Sequence, residues 1–274
     1  MKRECRYLPL SKQPLVLALC QVKFSPVRQM AEYISKIQDE FRRQGFPIER
    51  TITATPGIVI SAVGMQVNAM ERWEFRNRDE TTSIVVTHES VVLLTTRYDR
   101  FENFAATLKR AVDTVLKITE QSEFGVIERI GLRYVDVVEP RPGEDFRTYL
   151  RPGFHGPSDG LFRPATSHVF VRVVGRTEVK RAGQPFTEGT LAVRVLQNNL
   201  GMDLPPDLVD QTPRRSRTIE PGTLVTLIDM DHFIEGSFDP RTDEIIALAY
   251  GLHDQVIEAF HEHIVTPEAI EVWR

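Results

Sequence analysis

The stretch "VIERIGLRYVDVVEP", residues 126–140, is a long segment in which apolar and polar residues alternate, a pattern that predicts a β-strand. Side chains alternate between the two faces of a strand, so the two faces of this segment differ in character. One face carries Leu132, Tyr134 and Asp136, and the other carries Arg133, Val135 and Val137. Arg133 among valines predicts a buried ion pair or a position that lines an internal groove. We predict that Arg133, with Asp136, belongs to an interface between two halves of the chain.

Segments of two kinds surround this strand. Residues 15–24, "LVLALCQVKF", predict a buried strand, and short alternating runs within 57–98 predict an antiparallel meander. Further strands are predicted at 167–175, 189–198 and 222–233. Apolar residues recur at helical spacing and predict amphipathic helices within 27–44, 101–118 and 242–265. The fold class is therefore α+β, a mainly antiparallel sheet packed by amphipathic helices.

The order of these elements repeats along the chain, and it predicts two pseudo-repeated halves. Residues 1–125 form the N-terminal half (strand, helix, meander, helix), and residues 126–274 form the C-terminal half. The C-terminal half contains two loops rich in proline and glycine, at 140–165 and 200–221. Aligning the last strand of each half places Asp99 over Asp231, which predicts that both residues end a strand.

The composition is typical of a globular protein, and it argues against a membrane protein and against a disulfide-rich one. The chain has 274 residues, of which 41% are hydrophobic and 26% charged, as in an ordinary globular protein. No apolar run approaches the roughly 18 residues of a membrane span, so we expect no membrane. Two cysteines without a Cys/His neighbourhood argue against a zinc site or a disulfide framework, and a cytoplasmic location follows as the default.

The stretch "TLVTLIDMDHFIEGSF", residues 223–238, contains the strongest candidates for chemistry. On an extended strand Asp229 and Asp231 share one face, and His232 points to the other. Two aspartates on one face could begin an oxygen-rich site for magnesium or manganese, or an acid–base site, so a divalent metal is the one cofactor considered. The alternative is that Asp231 ends the strand and accepts hydrogen bonds from the following turn.

Arginines concentrate in the two long loops. Arg214, Arg215 and Arg217 lie in "TPRRSRT", and Arg163 lies in the other loop. If the loops meet, these guanidinium groups would form a phosphate or nucleic-acid binding patch. The alternative is a solvated loop whose charge is balanced by nearby acids, and a net charge of −4 gives no overall attraction to nucleic acid.

Several segments in order resemble a known family. These are the strand "PLVLALCQVKF", an amphipathic helix, the box "ERIGLRYVDVV", the strand "LIDMDHF" and a terminal helix ending "HEHIVTPEAIEVW". Over most of the chain they resemble a sporadically distributed family of uncharacterised bacterial and archaeal proteins of about this length. The "RIGLRY" box is the most specific piece. The resemblance implies no assigned activity, cofactor or catalytic residue, and its distribution implies accessory genes, including defence systems.

Motifs for nucleophilic catalysis and for nucleotide binding are missing: the sequence has no GxSxG, P-loop or GxGxxG. We therefore expect a binding or assembly subunit that is not an enzyme and that has a protein partner or forms a homo-oligomer. Two alternatives stay open. One is a metal-dependent phosphoester hydrolase that uses Asp229 and Asp231, and the other is a nucleic-acid-binding protein that uses the arginine-rich loops.

Overall fold

The protein is described by a computed structural model. The structure describes residues 7, 10–53, 57–61, 64–68, 71–141, 143–155, 169–181, 184–198, 204–209, 212–215, 219 and 222–274. Within these ranges the fold is α+β, as predicted. No helix in these ranges is long and apolar enough to cross a membrane.

The strands in chain order are β1 (Leu15–Phe24), β2 (Ile48–Thr53), β3 (Gly57–Ser61), β4 (Gly64–Asn68), β5 (Glu71–Arg76), β6 (Thr82–Val86), β7 (Ser90–Thr95), β8 (Ile127–Val138), β9 (Val169–Arg181), β10 (Gln184–Asn198) and β11 (Val225–Phe238). The α-helices are α1 (Met30–Arg43), α2 (Phe101–Ile118), α3 (Gln121–Phe124), α4 (Pro206–Val209), α5 (Thr242–Glu258) and α6 (Pro267–Trp273). A π-helical turn, Ala259–Ile264, follows α5 directly.

Nine of these strands form one antiparallel sheet in the order β2-β5-β6-β7-β1-β8-β11-β10-β9. The strand from the 126–140 stretch, β8, lies beside β1 near the centre of this sheet and has β11 on its other side. The sheet is continuous across the predicted boundary at residues 125 and 126. The strand β1 covers the residues predicted for it, Leu15 to Phe24.

The long helices cover one face of the sheet because each carries an apolar stripe. In α1 the buried stripe is Met30, Ile34, Ile37 and Phe41, at helical spacing. The stripes of α2 and α5 join the same large core as Leu132 and Tyr134 of β8, and Phe101 of α2 packs against Tyr250 of α5. We call this side the helix face.

The opposite side of the sheet, here called the open face, has a smaller apolar cluster. Val135 and Val137 of β8 contribute to it, together with Leu204 and with Leu208 of α4. Part of the long loop predicted at 200–221 therefore lies across one end of the open face. The alternation along β8 separates the two clusters, as the period of two requires.

Two local predictions are corrected. The first part of the meander predicted within 57–98 is not in the main sheet, because β3 and β4 form a separate two-stranded sheet. The strand β2, which was not predicted, pairs with β5. Asp231 does not end a strand: β11 continues to Phe238, because its hydrogen-bonding register with β8 runs on to the pair Phe238 and Ile127. The alignment of Asp99 with Asp231 therefore does not match two strand ends.

Candidate functional site

Asp229 lies on the open face of β11 and is 1% exposed. Its carboxylate accepts two hydrogen bonds from Arg133, from Nε at 2.6 Å and from Nη2 at 2.9 Å. A third comes from Nη1 of Arg194 at 2.8 Å. Arg194 lies opposite Asp229 in the register of β10 and β11, so the antiparallel pairing itself brings these two charges together.

Arg133 is the centre of this ion network. Its guanidinium also donates to Asp207 of α4, with Nη1 at 2.5 Å from Oδ2, and its side chain is 9% exposed. Burial acts to lower the pKa of Arg133, but the hydrogen bonds to Asp229 and Asp207 raise it above its ordinary value. Burial acts to raise the pKa of Asp207, but the hydrogen bond and the charge of the Arg133 guanidinium together lower it below its usual value. The sequence left two possibilities for Arg133, a buried ion pair or a position that lines a groove, and in the structure Arg133 forms a buried ion pair with Asp229.

Asp231 and His232 have different surroundings. Asp231 shares the open face with Asp229, and its Oδ1 is 3.7 Å from Nη2 of Arg129. Burial raises the pKa of Asp231, and Arg129 opposes that effect. His232 is fully buried on the helix face, where Nδ1 lies 3.0 Å from the carbonyl of Leu252 and Nε2 lies 2.8 Å from the hydroxyl of Thr177. Burial lowers the pKa of His232. The histidine therefore joins β9, β11 and α5, and it does not face the two aspartates.

The structure describes two of the loop arginines, Arg214 and Arg215. Arg214 and Arg215 are exposed, and the backbone of Arg214 is held by its N–H bond to the carbonyl of Glu80, 2.7 Å, and by the Thr96 hydroxyl. Arg163 and Arg217 lie outside the described residues. A patch made from both loops therefore stays a prediction.

Arg133 and Asp136 both lie on β8, the strand that pairs with β1 where the predicted halves meet. They face opposite sides of the sheet, as the alternation predicted. Arg133 takes part in the ion network of the open face, whereas Asp136 lines a cavity on the helix face.

The cavity has a volume of about 240 Å³ and lies between the central strands and the helix layer. Its walls come from segments far apart in the chain. They are mainly apolar or aromatic, and include Leu15, Tyr98, Phe101, Tyr134, Met230, Ile257 and Phe260. Pockets that bind small molecules have this character, an apolar lining with a few polar groups that fix orientation.

A chain of hydrogen bonds crosses one wall of the cavity. The hydroxyls of Tyr98 and Tyr134 are 3.2 Å apart, and the Tyr134 hydroxyl is 2.9 Å from Nδ1 of His253 on α5. The His253 ring stacks on Phe101 of α2, with ring centroids 4.0 Å apart. Burial raises the pKa of Tyr134 well above its usual value, so this hydroxyl keeps its proton. These contacts hold the wall in one arrangement, since each ring is fixed by a neighbour.

Asp136 is the acidic group of the cavity. It is 4% exposed, and within the described part of the chain its carboxyl has no hydrogen-bond or ion-pair partner. Burial raises the pKa of Asp136 to about 8. A carboxyl with a strongly perturbed pKa in an apolar cleft marks a candidate functional site on physical grounds.

Sequence reasoning missed Tyr98, Phe101 and His253 as site residues. A signal for His253 was present in the spacing Ile246, Tyr250, His253 and Ile257, a second apolar stripe on the terminal helix beside the one predicted. Such a stripe predicts contact with another helix. It does not identify which side chains that contact brings to the cavity.

No cluster of three or more His, Cys, Asp or Glu side chains that could hold a metal ion occurs among the residues that the structure describes. No known protein-family model matches the chain, and a search of curated proteins found no match.

Proposed function

We propose that the protein is a binding protein without catalytic activity and that its ligand is a small molecule held in the cavity of the helix face. The observation that carries the proposal is Asp136, a buried carboxyl that faces an aromatic-walled cavity without a partner in the described residues. Burying a carboxyl costs free energy, so an unpaired one in the core is retained where it serves a ligand.

The surroundings of Asp229 favour binding over metal-dependent hydrolysis. Its two oxygens already accept three hydrogen bonds from Arg133 and Arg194. A metal ion at this carboxylate would have to displace guanidinium groups of the same charge sign, at close range and largely out of water. The network is better suited to joining β8, β10 and β11 to α4.

The strand order supports the proposal that the two halves arose by duplication. Reading outward from the centre, the first half runs β1-β7-β6-β5 and the second runs β8-β11-β10-β9. In each half the first strand of the half is central, the strand before the long helix lies next to it, and that helix (α2 or α5) packs on the same face. Under this proposal the cavity lies between the halves, since α2 of residues 1–125 lines it together with β8 and α5 of residues 126–274.

A wider role as a subunit of an accessory system, in the cytoplasm, is part of the same proposal. The resemblance to a sporadically distributed family supports it. An edge strand supports contact with a protein partner or a second copy: β9 ends the sheet, and its Phe170, Val173 and Val174 are exposed.

The experiment is a fragment screen by thermal shift on the full chain, using small ring-sized compounds of varied charge. Hits are then tested against Ile257→Trp, which puts an indole into the cavity. We expect stabilising hits whose effect is lost in Ile257→Trp. The matched control is Phe124→Ser. Phe124 is exposed and precedes the first residue of β8, whereas the cavity lies near the last residues of that strand, so the thermal shifts caused by the hits should stay the same. A screen without stabilising compounds, or hits that survive in Ile257→Trp, would contradict the proposal.

A further inference from the structure

Acidic side chains outnumber basic ones among the described residues that line the cavity. Among these described residues, Asp99, Glu102 and Asp136 are acidic and Arg100 is basic. Asp136 contributes its negative charge as pH rises through about 8, the value to which burial raises its pKa. Asp99, Arg100 and Glu102 are exposed, whereas Asp136 is buried. Burial lowers the pKa of His261, another lining residue, so that ring does not add a positive charge at neutral pH. The charges of these described side chains therefore favour a positively charged ligand.

The carboxylates differ in what they already bind. Asp99 accepts hydrogen bonds from the backbone N–H of Arg100, at 2.6 Å, and from the side chain of Asn103. Asp136 has no such donor in the described residues. A buried carboxylate is stabilised by an opposite charge within about 4–6 Å, and a ligand cation would supply that charge.

The size and the walls of the cavity limit the rest of the ligand. A dry cavity of roughly 150 Å³ holds one benzene ring, so about 240 Å³ leaves room for a ring and a short arm. The rings of Tyr98, Phe101 and Phe260 line the cavity, so its walls favour a ligand with an apolar body.

We propose that the cavity binds an organic cation, a protonated amine on a short arm with an apolar body of about one ring, and that Asp136 is its counter-ion. The inference rests on the proposed function and deepens it, because it names the chemical class of the ligand. The buried Asp136 pairs with the ammonium group, and the exposed Asp99 and Glu102 attract the cation from solvent.

The test compares three probes of similar shape by isothermal titration calorimetry on the full chain. They are 2-phenylethylamine (a cation), 2-phenylethanol (neutral) and 3-phenylpropionate (an anion). Measurements are made at pH 8.5. Asp136 is largely ionised there, because burial raises its pKa to about 8. An alkylamine is still largely protonated at this pH, since its pKa is close to that of a Lys side chain. We expect the amine to bind at least tenfold more tightly than the alcohol, and the carboxylate to bind more weakly than either.

The matched variants are Asp136→Asn and Asp99→Asn. The first removes the buried charge at constant shape, so it should weaken amine binding at least tenfold and leave the alcohol within about twofold. The second changes an exposed residue, so it should weaken the amine less than threefold. Circular dichroism of Asp136→Asn checks its fold, and the comparison of probes on the unmodified chain stands if that variant does not fold.

The outcomes separate this inference from the proposed function. If the alcohol or the carboxylate binds as tightly as the amine and Ile257→Trp blocks it, the cavity is a binding site but the cation inference is wrong. Unchanged amine affinity in a folded Asp136→Asn also overturns it. If none of the three probes binds and the fragment screen finds no hit, the proposed function fails as well.

Discussion

Replacing Asp229 by alanine tests whether the role of this carboxylate is to stabilise the fold. The substitution removes the acceptor of three charge-assisted hydrogen bonds, and it leaves Arg133, with 9% of its side chain exposed, short of its buried partner. Removing one member of a buried ion pair costs about 3–5 kcal/mol, because the other charge stays desolvated.

Two features of the network place the expected cost near the lower end of that range. Arg133 keeps its hydrogen bonds to Asp207, and Arg194, 31% exposed, can turn toward water. We therefore expect Asp229→Ala to lower the free energy of unfolding by about 3 kcal/mol. For a chain of this size that corresponds to a fall of roughly 6 °C in Tm.

The assay is equilibrium unfolding in urea, followed by far-UV circular dichroism, with Asp207→Ala as the control. Asp207 binds the same guanidinium, but its side chain is 62% exposed, so its loss should cost less than about 1 kcal/mol. If the free energy of unfolding of Asp229→Ala lies within about 1 kcal/mol of that of the parent chain, the network does not hold the open face together. Equal costs for the two variants would show that burial of Asp229 does not decide the strength of the pair.

Three further predictions follow from buried groups. Burial raises the pKa of Asp136 from 3.8 to about 8, so the folded chain holds a proton that the unfolded chain releases; the free energy of unfolding should therefore fall as pH rises through that interval, by up to about 1.4 kcal/mol per pH unit. Urea unfolding at several pH values should show that Asp136→Asn removes this fall, and an unchanged pH dependence would contradict the buried position. Gly251→Ala would place a Cβ 2.8 Å from Cγ1 of Val179, so we expect the free energy of unfolding in urea to fall by about 1–3 kcal/mol. If the substitution instead stabilises the chain, as it does in an exposed helix, the close approach of Val179 to Gly251 is wrong. Burial raises the pKa of the Cys20 thiol to about 12, so in a Cys5→Ser background a thiol reagent at pH 8 should react only as fast as the chain opens, and rapid labelling would place Cys20 at the surface.

Much of the local structure could be predicted because it depends on short-range geometry. A strand has a period of two wherever it lies in the sheet, so alternation alone placed Arg133 and Asp136 on opposite faces. The apolar stripes of α1, α2 and α5 were predictable for the same reason, since the helical period is set by the backbone. The end of β11 was not predictable, because a strand continues as long as its neighbour offers a register of hydrogen bonds.

The sequence by itself determined the α+β class and the two faces of the central strand, and it left two roles open for Arg133, a buried ion pair or a position that lines a groove. Only the tertiary structure decided the partners. Asp229 meets Arg133 across 96 positions because β11 pairs with β8. Asp136 lines one cavity with Tyr98, Phe101 and His253 because α2 and α5 pack over that strand. Such contacts depend on strand order and helix packing, which are set by the burial of the whole core, and no local pattern of residues encodes them one by one.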